Sequence, residues 1–449
     1  MKLAKNFFVG FLFFFISFYC LAQPPKGIKW TNDGTAYYAS ESGEVIKYQL
    51  PGFTKITIAS KAILTPTGKS ALAIRNFFIS DDESKILIYT NSKKVWRYDT
   101  KGDYYLVDIN TKTSKQIGKS LPASSLMFAK ISPDGKQIAY VSNHNIYVED
   151  IATSTVKQLT KDGTTKLING TFDWAYEEEF GCRDGFRWSP DSKSIAFWQI
   201  DATNIRNFLM LNTTDSIYSF TVPVEYPKVG EDPSSCKIGV VNIATAKTTW
   251  MNVPGSAVQN YIPRMEWTNN SNEIIIQQLN RKQQESKIML LNAKTGAAKT
   301  IYSEEDKAWI DIKSRWNDDN PAGWEWLNGG KDFLWVSEKD GWRHIYKVSM
   351  DGKNETLLTK GNYDMIAFEA IDEKNGYVYF MASPNNALQQ YLYRSRLDGT
   401  GTAELVSSAA QNGTHRYQMS PTASFAKHNF SSSSVMPSEE WVKLLQRME

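Results

Sequence analysis

The sequence is poor in residues that bind metals and has no excess of charge of one sign. Its 449 residues include three cysteines and a formal net charge of +3, from 51 basic and 48 acidic side chains. The four histidines show no HxxxH spacing, and they are His144, His344, His415 and His428. This composition excludes a readable zinc site and a basic face for nucleic acid. We therefore predict no metal, no cofactor and no nucleic-acid partner.

A catalytic centre for nucleophilic hydrolysis is also missing from the sequence. An α/β-hydrolase carries its serine in a GxSxG turn between a strand and a helix, with an acid and a histidine downstream. Ser70 and Ser120 each follow a Gly-Lys pair but lack the second glycine. No stretch of the chain alternates strands with helices. We predict no catalytic residue in this chain.

The first residues have the pattern of a secretory signal. Lys2 and Lys5 flank the start of an apolar stretch at residues 7–21, which ends at the small residue Ala22. The stretch is shorter than the ~20 residues that a membrane span needs, so a retained anchor is the alternative rather than the first choice. We predict a signal peptide at residues 1–22 and an exported protein, in the periplasm or at the outer surface.

Export would place the two remaining cysteines in an oxidising compartment. Cys182 and Cys236 form an even pair about 54 residues apart. A bridge across such a loop stabilises a protein by roughly 4 kcal/mol in the chain-entropy model. We expect a disulfide between them, and two buried unpaired thiols are the alternative.

A turn followed by an alternating strand recurs along the chain. A hydrophobic or aromatic residue, then Ser or Thr, and a turn of Asp, Asn and Gly precede each strand, as in WTNDGTAYYAS and ISPDGKQIAYVS. Strands of period two that are separated by such turns indicate antiparallel hairpins. The pattern has eight anchors, at Trp30, Ile79, Ile131, Trp188, Trp267, Trp326, Ile371 and Met419.

Eight repeats of this kind predict a β-propeller. Four antiparallel strands within about 45 to 60 residues form one blade, and radial repetition buries the sheet faces against each other. We predict an all-β domain over residues 23–449, with about eight four-stranded blades and an incomplete last blade. A pair of β-sandwiches would not keep one turn motif in register eight times. The long gap between Trp188 and Trp267 predicts an extra hairpin or arm within residues 204–227.

The segment DWAYEEEF at residues 173–180 interrupts the strand pattern just before Trp188. On a helical turn, adjacent carboxylates lie about 100° apart, close enough for two of them to converge on one cation. A free α-amino group would suit such a site. The alternative is a solvated acidic turn with no ligand.

This segment also carries a resemblance to a known family. DWAYEEEF, the WSPDSKSIAFWQID repeat and VPVEYPKVG at residues 222–230 resemble the propeller of dipeptidyl peptidase IV-type serine peptidases of the prolyl oligopeptidase clan. The resemblance implies that Glu178 and Glu179 bind the N-terminal ammonium of a peptide. It also implies that Arg97, within VWRY, donates to the peptide carbonyl, a task that suits its planar fork of donors.

The chain departs from that family towards its C-terminal end. The peptidases continue into an α/β-hydrolase domain with a Ser, Asp and His triad, which is missing here, and strand alternation is lost after Ser434. We interpret the chain as the substrate-recognition propeller of an exported dipeptidyl peptidase, truncated and inactive alone. Its expected partners are peptide N-termini, a missing or separately encoded hydrolase domain, and a second copy bound through the arm. A non-catalytic peptide-binding propeller and a scaffold propeller are the alternatives.

Overall fold

The computed structural model describes residues 27–312 and 324–444. The predicted signal peptide at residues 1–22, and the two ends of the predicted domain, lie outside this part of the chain. The described residues form 34 strands and one short helix. None of their helices is long and apolar enough to span a membrane.

The first three blades follow one another along the chain. Blade 1 contains β1 (Lys29–Trp30), β2 (Ala36–Glu41), β3 (Glu44–Gln49) and β4 (Thr54–Ala59). Blade 2 contains β5 (Asn76–Ile79), β6 (Lys85–Val95), β7 (Tyr98–Asp108) and β8 (Thr113–Ile117). Blade 3 contains β9 (Leu126–Ile131), β10 (Gln137–Ser142), β11 (Asn145–Asp150) and β12 (Val156–Gln158). Blades 2 and 3 form a continuous sheet because β7 also pairs with β9.

Blade 4 carries two insertions. It contains β13 (Leu167–Asn169), α1 (Trp174–Phe180), β14 (Phe186–Trp188), β15 (Ser194–Asp201), β16 (Asn207–Asn212), β17 (Phe220–Glu225), β18 (Ser235–Asn242) and β19 (Thr248–Trp250). Helix α1 lies between the first two strands. Strands β16 and β17 pair only with each other among the described strands, and they form the predicted arm.

The remaining blades complete the propeller. Blade 5 contains β20 (Asn260–Trp267), β21 (Glu273–Asn280), β22 (Glu285–Asn292) and β23 (Ala298–Glu305). Blade 6 contains β24 (Glu325–Leu327), β25 (Asp332–Ser337), β26 (His344–Ser349) and β27 (Glu355–Leu357). Blade 7 contains β28 (Met365–Asp372), β29 (Tyr377–Ala382), β30 (Tyr391–Arg396) and β31 (Glu404–Leu405), and blade 8 contains β32 (Thr414–Met419), β33 (Phe425–Ser431) and β34 (Ser438–Lys443). Eight blades with a three-stranded last blade, within the described residues, confirm the predicted fold class.

The repeated turn has a clear physical basis. In blade 3, the hydroxyl of Ser132 donates to Asp134 at 2.6 Å and accepts the backbone N–H of Gln137 at 2.9 Å. Equivalent hydroxyl–carboxylate bonds occur in blades 2 and 4, at 2.6 and 2.7 Å. These bonds satisfy polar groups that the tight turn would otherwise leave unpaired. A Ser with an Asp two residues later therefore starts a hairpin in each of these blades.

Blade 8 packs against blade 1. The indole of Trp441 stacks on the ring of Tyr37 with centroids 4.4 Å apart, and Gln418 Nε2 donates to the carbonyl of Ile28 at 3.1 Å. Trp441 lies on β34, which pairs along β33 in the region after Ser434. The prediction that strands are lost there is therefore wrong for β34. The reason is that Trp441 packs against Tyr37 of blade 1. The local sequence pattern gives no sign of this contact, because the two residues are far apart along the chain.

Candidate functional site

Helix α1 begins and ends with well-formed caps. The side chain of Asp173 accepts the backbone N–H of Tyr176 at 3.1 Å, which caps the N-terminus. Gly181 adopts a left-handed conformation with φ of 64°, and its N–H donates to Glu177 O at 3.1 Å. A short helix is marginal in water, so these caps and the packing beneath it are what hold its position.

The apolar side of α1 is anchored to blade 5. The side chain of Tyr176 is 1% exposed, and the backbone N–H of Ile262 donates to its hydroxyl at 3.4 Å. The buried guanidinium of Arg264 donates to Phe180 O at 3.1 Å and to Pro263 O at 2.8 Å. Because the aromatic side is buried, Glu178 and Glu179 lie at the surface, whereas the neighbouring Glu177 is buried.

The hairpin of β6 and β7 brings Arg97 to this helix. Arg97 lies at the tip of the hairpin, and its Nη2 is 2.6 Å from Oε1 of Glu178. The Arg97 side chain is 71% exposed and that of Glu178 is 29% exposed. Beside this pair, the guanidinium of Arg183 stacks over the ring of Tyr98 at 4.1 Å. Two cation contacts thus fasten the hairpin tip to the region of α1.

The three predicted site residues therefore have different surroundings. Arg97 and Glu178 form an ion pair, although 81 positions separate them along the chain. Glu179 follows Glu178 on the same helix and has no hydrogen bond or ion pair within residues 27–312 and 324–444. The site can accept N–H groups through two carboxylates and can donate N–H groups through one guanidinium.

A buried charge network adjoins the site, and the sequence analysis missed it. Asp184 contacts both Lys130 and Arg187, and Arg187 Nε also lies 3.3 Å from Glu266 Oε2. Burial lowers the pKa of Lys130 to about 8 and raises the pKa of Glu266. Lys130, Arg187 and Glu266 each directly precede an anchor residue, at Ile131, Trp188 and Trp267. The sequence signal that could have indicated this network is the charged residue directly before the anchor in three successive blades.

The expected disulfide between Cys182 and Cys236 is absent, and both cysteines are unpaired thiols. Cys182 and Cys236 are buried free thiols in one apolar cluster between blades 4 and 5. Each thiol is engaged elsewhere: Cys182 Sγ donates to Pro263 O at 3.3 Å, and Cys236 lies in hydrogen-bond contact with Tyr176. Burial raises the pKa of Cys182 to about 11 and raises that of Cys236. The structure therefore has two protonated thiols in place of the expected bridge.

A family model matches most of the chain. The model of the dipeptidyl peptidase IV (DPP IV) N-terminal region matches residues 80–437. A curated relative, the probable dipeptidyl peptidase 4 of Emericella nidulans, is 26% identical over 392 residues, which are 83% of this chain and 49% of the relative. The inactive dipeptidyl peptidase 10 of Mus musculus is 26% identical over 393 residues, with 84% and 48% covered.

A solved structure supports the same assignment. The crystal structure of Porphyromonas gingivalis dipeptidyl peptidase 4 superposes with a TM-score of 0.84 and 26% sequence identity. The match covers 94% of this chain and 58% of that structure. The chain spans about half the length of the curated relatives it matches.

Proposed function

The chain belongs to the dipeptidyl peptidase IV N-terminal region family, and we propose that it is the substrate-recognition propeller of an exported dipeptidyl peptidase. The observation that carries this proposal is the 2.6 Å contact between Arg97 and Glu178. It brings a hydrogen-bond donor for a carbonyl next to an acceptor for an ammonium. A peptide N-terminus offers both of these groups within one residue.

In this proposal the peptide binds by its free N-terminus. The ammonium lies between Glu178 and Glu179 and donates to both carboxylates, while Arg97 donates to the first peptide carbonyl. Arginine has five N–H donors, so Arg97 can retain its contact with Glu178 and still bind the carbonyl. The pair also positions Glu178 before the ligand arrives, which lowers the entropic cost of binding.

The propeller's part in hydrolysis would be positional. A fixed N-terminus sets the distance from the ammonium to the scissile bond, and this distance selects a dipeptide as the product. A serine nucleophile, its base and an oxyanion hole would come from an α/β-hydrolase domain, in the same protein or a separate one. The described propeller residues supply recognition, and binding alone does not lower the barrier to hydrolysis.

A second candidate function is peptide binding without catalysis. The mouse relative is named an inactive dipeptidyl peptidase, and its identity to this chain equals that of the Emericella nidulans relative, at 26%. The same clamp would then capture peptide N-termini for a scaffold or carrier role. A sequence encoding GxSxG and a downstream histidine, next to or within the same gene, would favour the catalytic alternative.

The proposal includes export and self-association. The apolar residues 7–21 support export to the periplasm or outer surface, which N-terminal sequencing of the native protein tests through a start near residue 23. The arm supports a homodimer, because its apolar side chains face solvent: Leu211 is 65% exposed, Ile217 97% and Tyr218 85%. Apolar side chains concentrated in this way mark an interaction surface.

The clamp is tested by a ligand-observed NMR titration with a short Xaa-Pro peptide. We expect millimolar affinity, equivalent to about 4 kcal/mol, because water reaches the carboxylates. Acetylating the peptide N-terminus should abolish binding. Glu178→Gln and Glu179→Gln should each weaken it about fivefold, since an exposed ion pair contributes up to about 1 kcal/mol.

The matched control is Glu285→Gln, which removes an exposed carboxylate from blade 5. It should bind the free peptide as the unchanged protein does. Equal binding of the free and acetylated peptides would refute the clamp and leave the acidic segment as a solvated turn.

A further inference from the structure

A second concave surface lies at the outer edge of blade 2, and its lining includes none of Arg97, Glu178 and Glu179. It is a cavity of about 970 Å³. One wall is the loop after β4, including Ile63 and Pro66, and the other wall belongs to blade 3, including Ser154 and Val156. Strand β8 runs between the two walls. The cavity therefore follows one edge of a β-strand.

The edge of β8 is open towards this cavity. The strand pairs with β7 from Thr113 to Ile117 and, among the described strands, with no other. In an antiparallel ladder, alternate residues direct their backbone N–H and C=O groups away from the neighbouring strand. Those of β8 are thus available to another extended backbone.

Side chains of β8 form hydrogen bonds with both walls. On one face, the hydroxyl of Ser114 donates to Ile63 O at 2.7 Å. On the other face, Lys115 Nζ donates to Ile151 O and to Ser154 Oγ. These hydrogen bonds attach one wall to each face of the sheet at β8. The backbone edge of β8 that faces away from β7 pairs with no other described strand.

The cavity is strongly cationic although the whole chain is nearly neutral. Its lysines are Lys69, Lys112, Lys115 and Lys119. The single acid in its lining, Glu149, is buried and already accepts the N–H of Gly118 at 2.7 Å. Burial also raises the pKa of Glu149, which favours its neutral form. No carboxylate of residues 27–312 or 324–444 forms an ion pair with the exposed lysines 69, 112 and 119.

We propose that this edge binds an extended acidic peptide, which adds as a fifth strand to blade 2. The backbone of the peptide would pair with β8, and its carboxylates would contact the four lysines. The five residues of β8 extend over about 17 Å at ~3.3 Å per residue, so the strand can pair with about five residues of the peptide, and the peptide's ends would reach the lysines beyond the strand. The open backbone edge favours a peptide over an anionic glycan, because a glycan would use the lysines alone.

The probe is a fluorescent octapeptide of alternating Glu and Thr, acetylated at its N-terminus and amidated at its C-terminus. Acetylation removes the ammonium, so the probe cannot use Glu178 and Glu179, and the result is independent of the proposed clamp. Binding to the full chain is measured by fluorescence anisotropy. We expect binding at low salt that weakens as salt is added.

Substitution of the lysines tests their contribution to binding separately from that of the strand edge. The triple variant Lys69→Gln, Lys112→Gln and Lys119→Gln should weaken binding about tenfold, since each exposed pair contributes modestly. The matched control removes three exposed lysines elsewhere, by Lys282→Gln, Lys294→Gln and Lys374→Gln, and should leave binding unchanged.

Methylating the backbone nitrogens tests strand addition itself. Two probes carry N-methyl groups on either the odd or the even residues, and only one of these sets would face β8. One probe should lose binding and the other should retain it. Equal binding of both, an equal loss in the control variant, or no binding of the unmethylated probe would each overturn the proposal.

Discussion

Blade 4 contains two insertions with opposite relations to the propeller. Helix α1 lies against blade 5, with Tyr176 and Phe180 buried and Arg264 bound to its last carbonyl. The arm of β16 and β17 pairs only with itself among the described strands, and Leu211 and Ile217 face solvent. The helix has its partner within the chain, whereas the arm exposes apolar surface that a partner could cover.

One contact links the two insertions. The indole of Trp174, the first residue of α1, lies 4.4 Å from the ring of Tyr226, just after β17. The first turn of the helix therefore packs against the residue that follows the arm. The comparison shows that one blade holds a helix packed against the next blade beside an arm with exposed apolar side chains.

The largest expected effect comes from removing the anchor of α1. Tyr176→Ala should lower the free energy of unfolding by about 3 to 5 kcal/mol, because it empties a fully packed site and strips a hydrogen bond. Tyr218→Ala, in the exposed arm, is the matched control and should change it by less than about 0.5 kcal/mol. Urea denaturation of both variants measures the difference. Similar losses in the two would show that the arm is as well packed as the helix.

Breaking the proposed self-association should give the next largest effect. Leu209→Asp with Leu211→Asp places two charges on the apolar arm and should raise the dimer dissociation constant at least about tenfold. The control pair, Leu388→Asp with Leu405→Asp, changes exposed leucines of blade 7 or its loops. Analytical ultracentrifugation reports both. If the unchanged protein is monomeric at all concentrations measured, the proposed self-association through the arm is wrong.

The smallest effect concerns the N-cap of α1. Asp173→Ala should cost about 1 kcal/mol through loss of the cap to the N–H of Tyr176. Asp173→Asn keeps an acceptor oxygen and removes a buried charge, so it should be at least as stable as the unchanged protein at pH 7.

The pH dependence of the Asn variant has a defined sign. Burial raises the pKa of Asp173 in the folded protein above its usual 3.8. The stabilising contribution of this carboxyl is therefore complete below pH 3.8 and is lost as the pH rises through the raised value. The advantage of Asp173→Asn should be largest at neutral pH and should shrink on acidification. A thermal melt series from pH 7 to 4 checks this, and an advantage that grows with acid would contradict it.

Local patterns predicted the blades because the turn chemistry is local. Ser132 and Asp134 are two positions apart, and the same hydroxyl–carboxylate bond starts a hairpin in blades 2 and 4. The length of the gap after Trp188 likewise predicted the arm, which needs only two paired strands. The family resemblance, rather than any spacing, pointed to Arg97 together with Glu178 and Glu179.

Other features depended on distant parts of the chain. Strand β34 pairs with β33, and its residue Trp441 stacks on Tyr37 of blade 1. The local alternation of residues did not predict this strand. Cys182 and Cys236 were an even pair in the sequence, but the carbonyl of Pro263 and the hydroxyl of Tyr176 occupy their thiols. The charge network around Asp184 joins residues of three blades.

The sequence by itself determined the repeat, the strand period and the positions of the two insertions, because turns and alternation depend on residues a few positions apart. Only the tertiary structure decided which surfaces those insertions present. The ion pair of Arg97 with Glu178 and the open edge of β8 between two walls arise from neighbouring elements brought together by the ring of blades. Hydrogen bonds and ion pairs act over a few ångströms in space, and separation along the chain does not measure that distance.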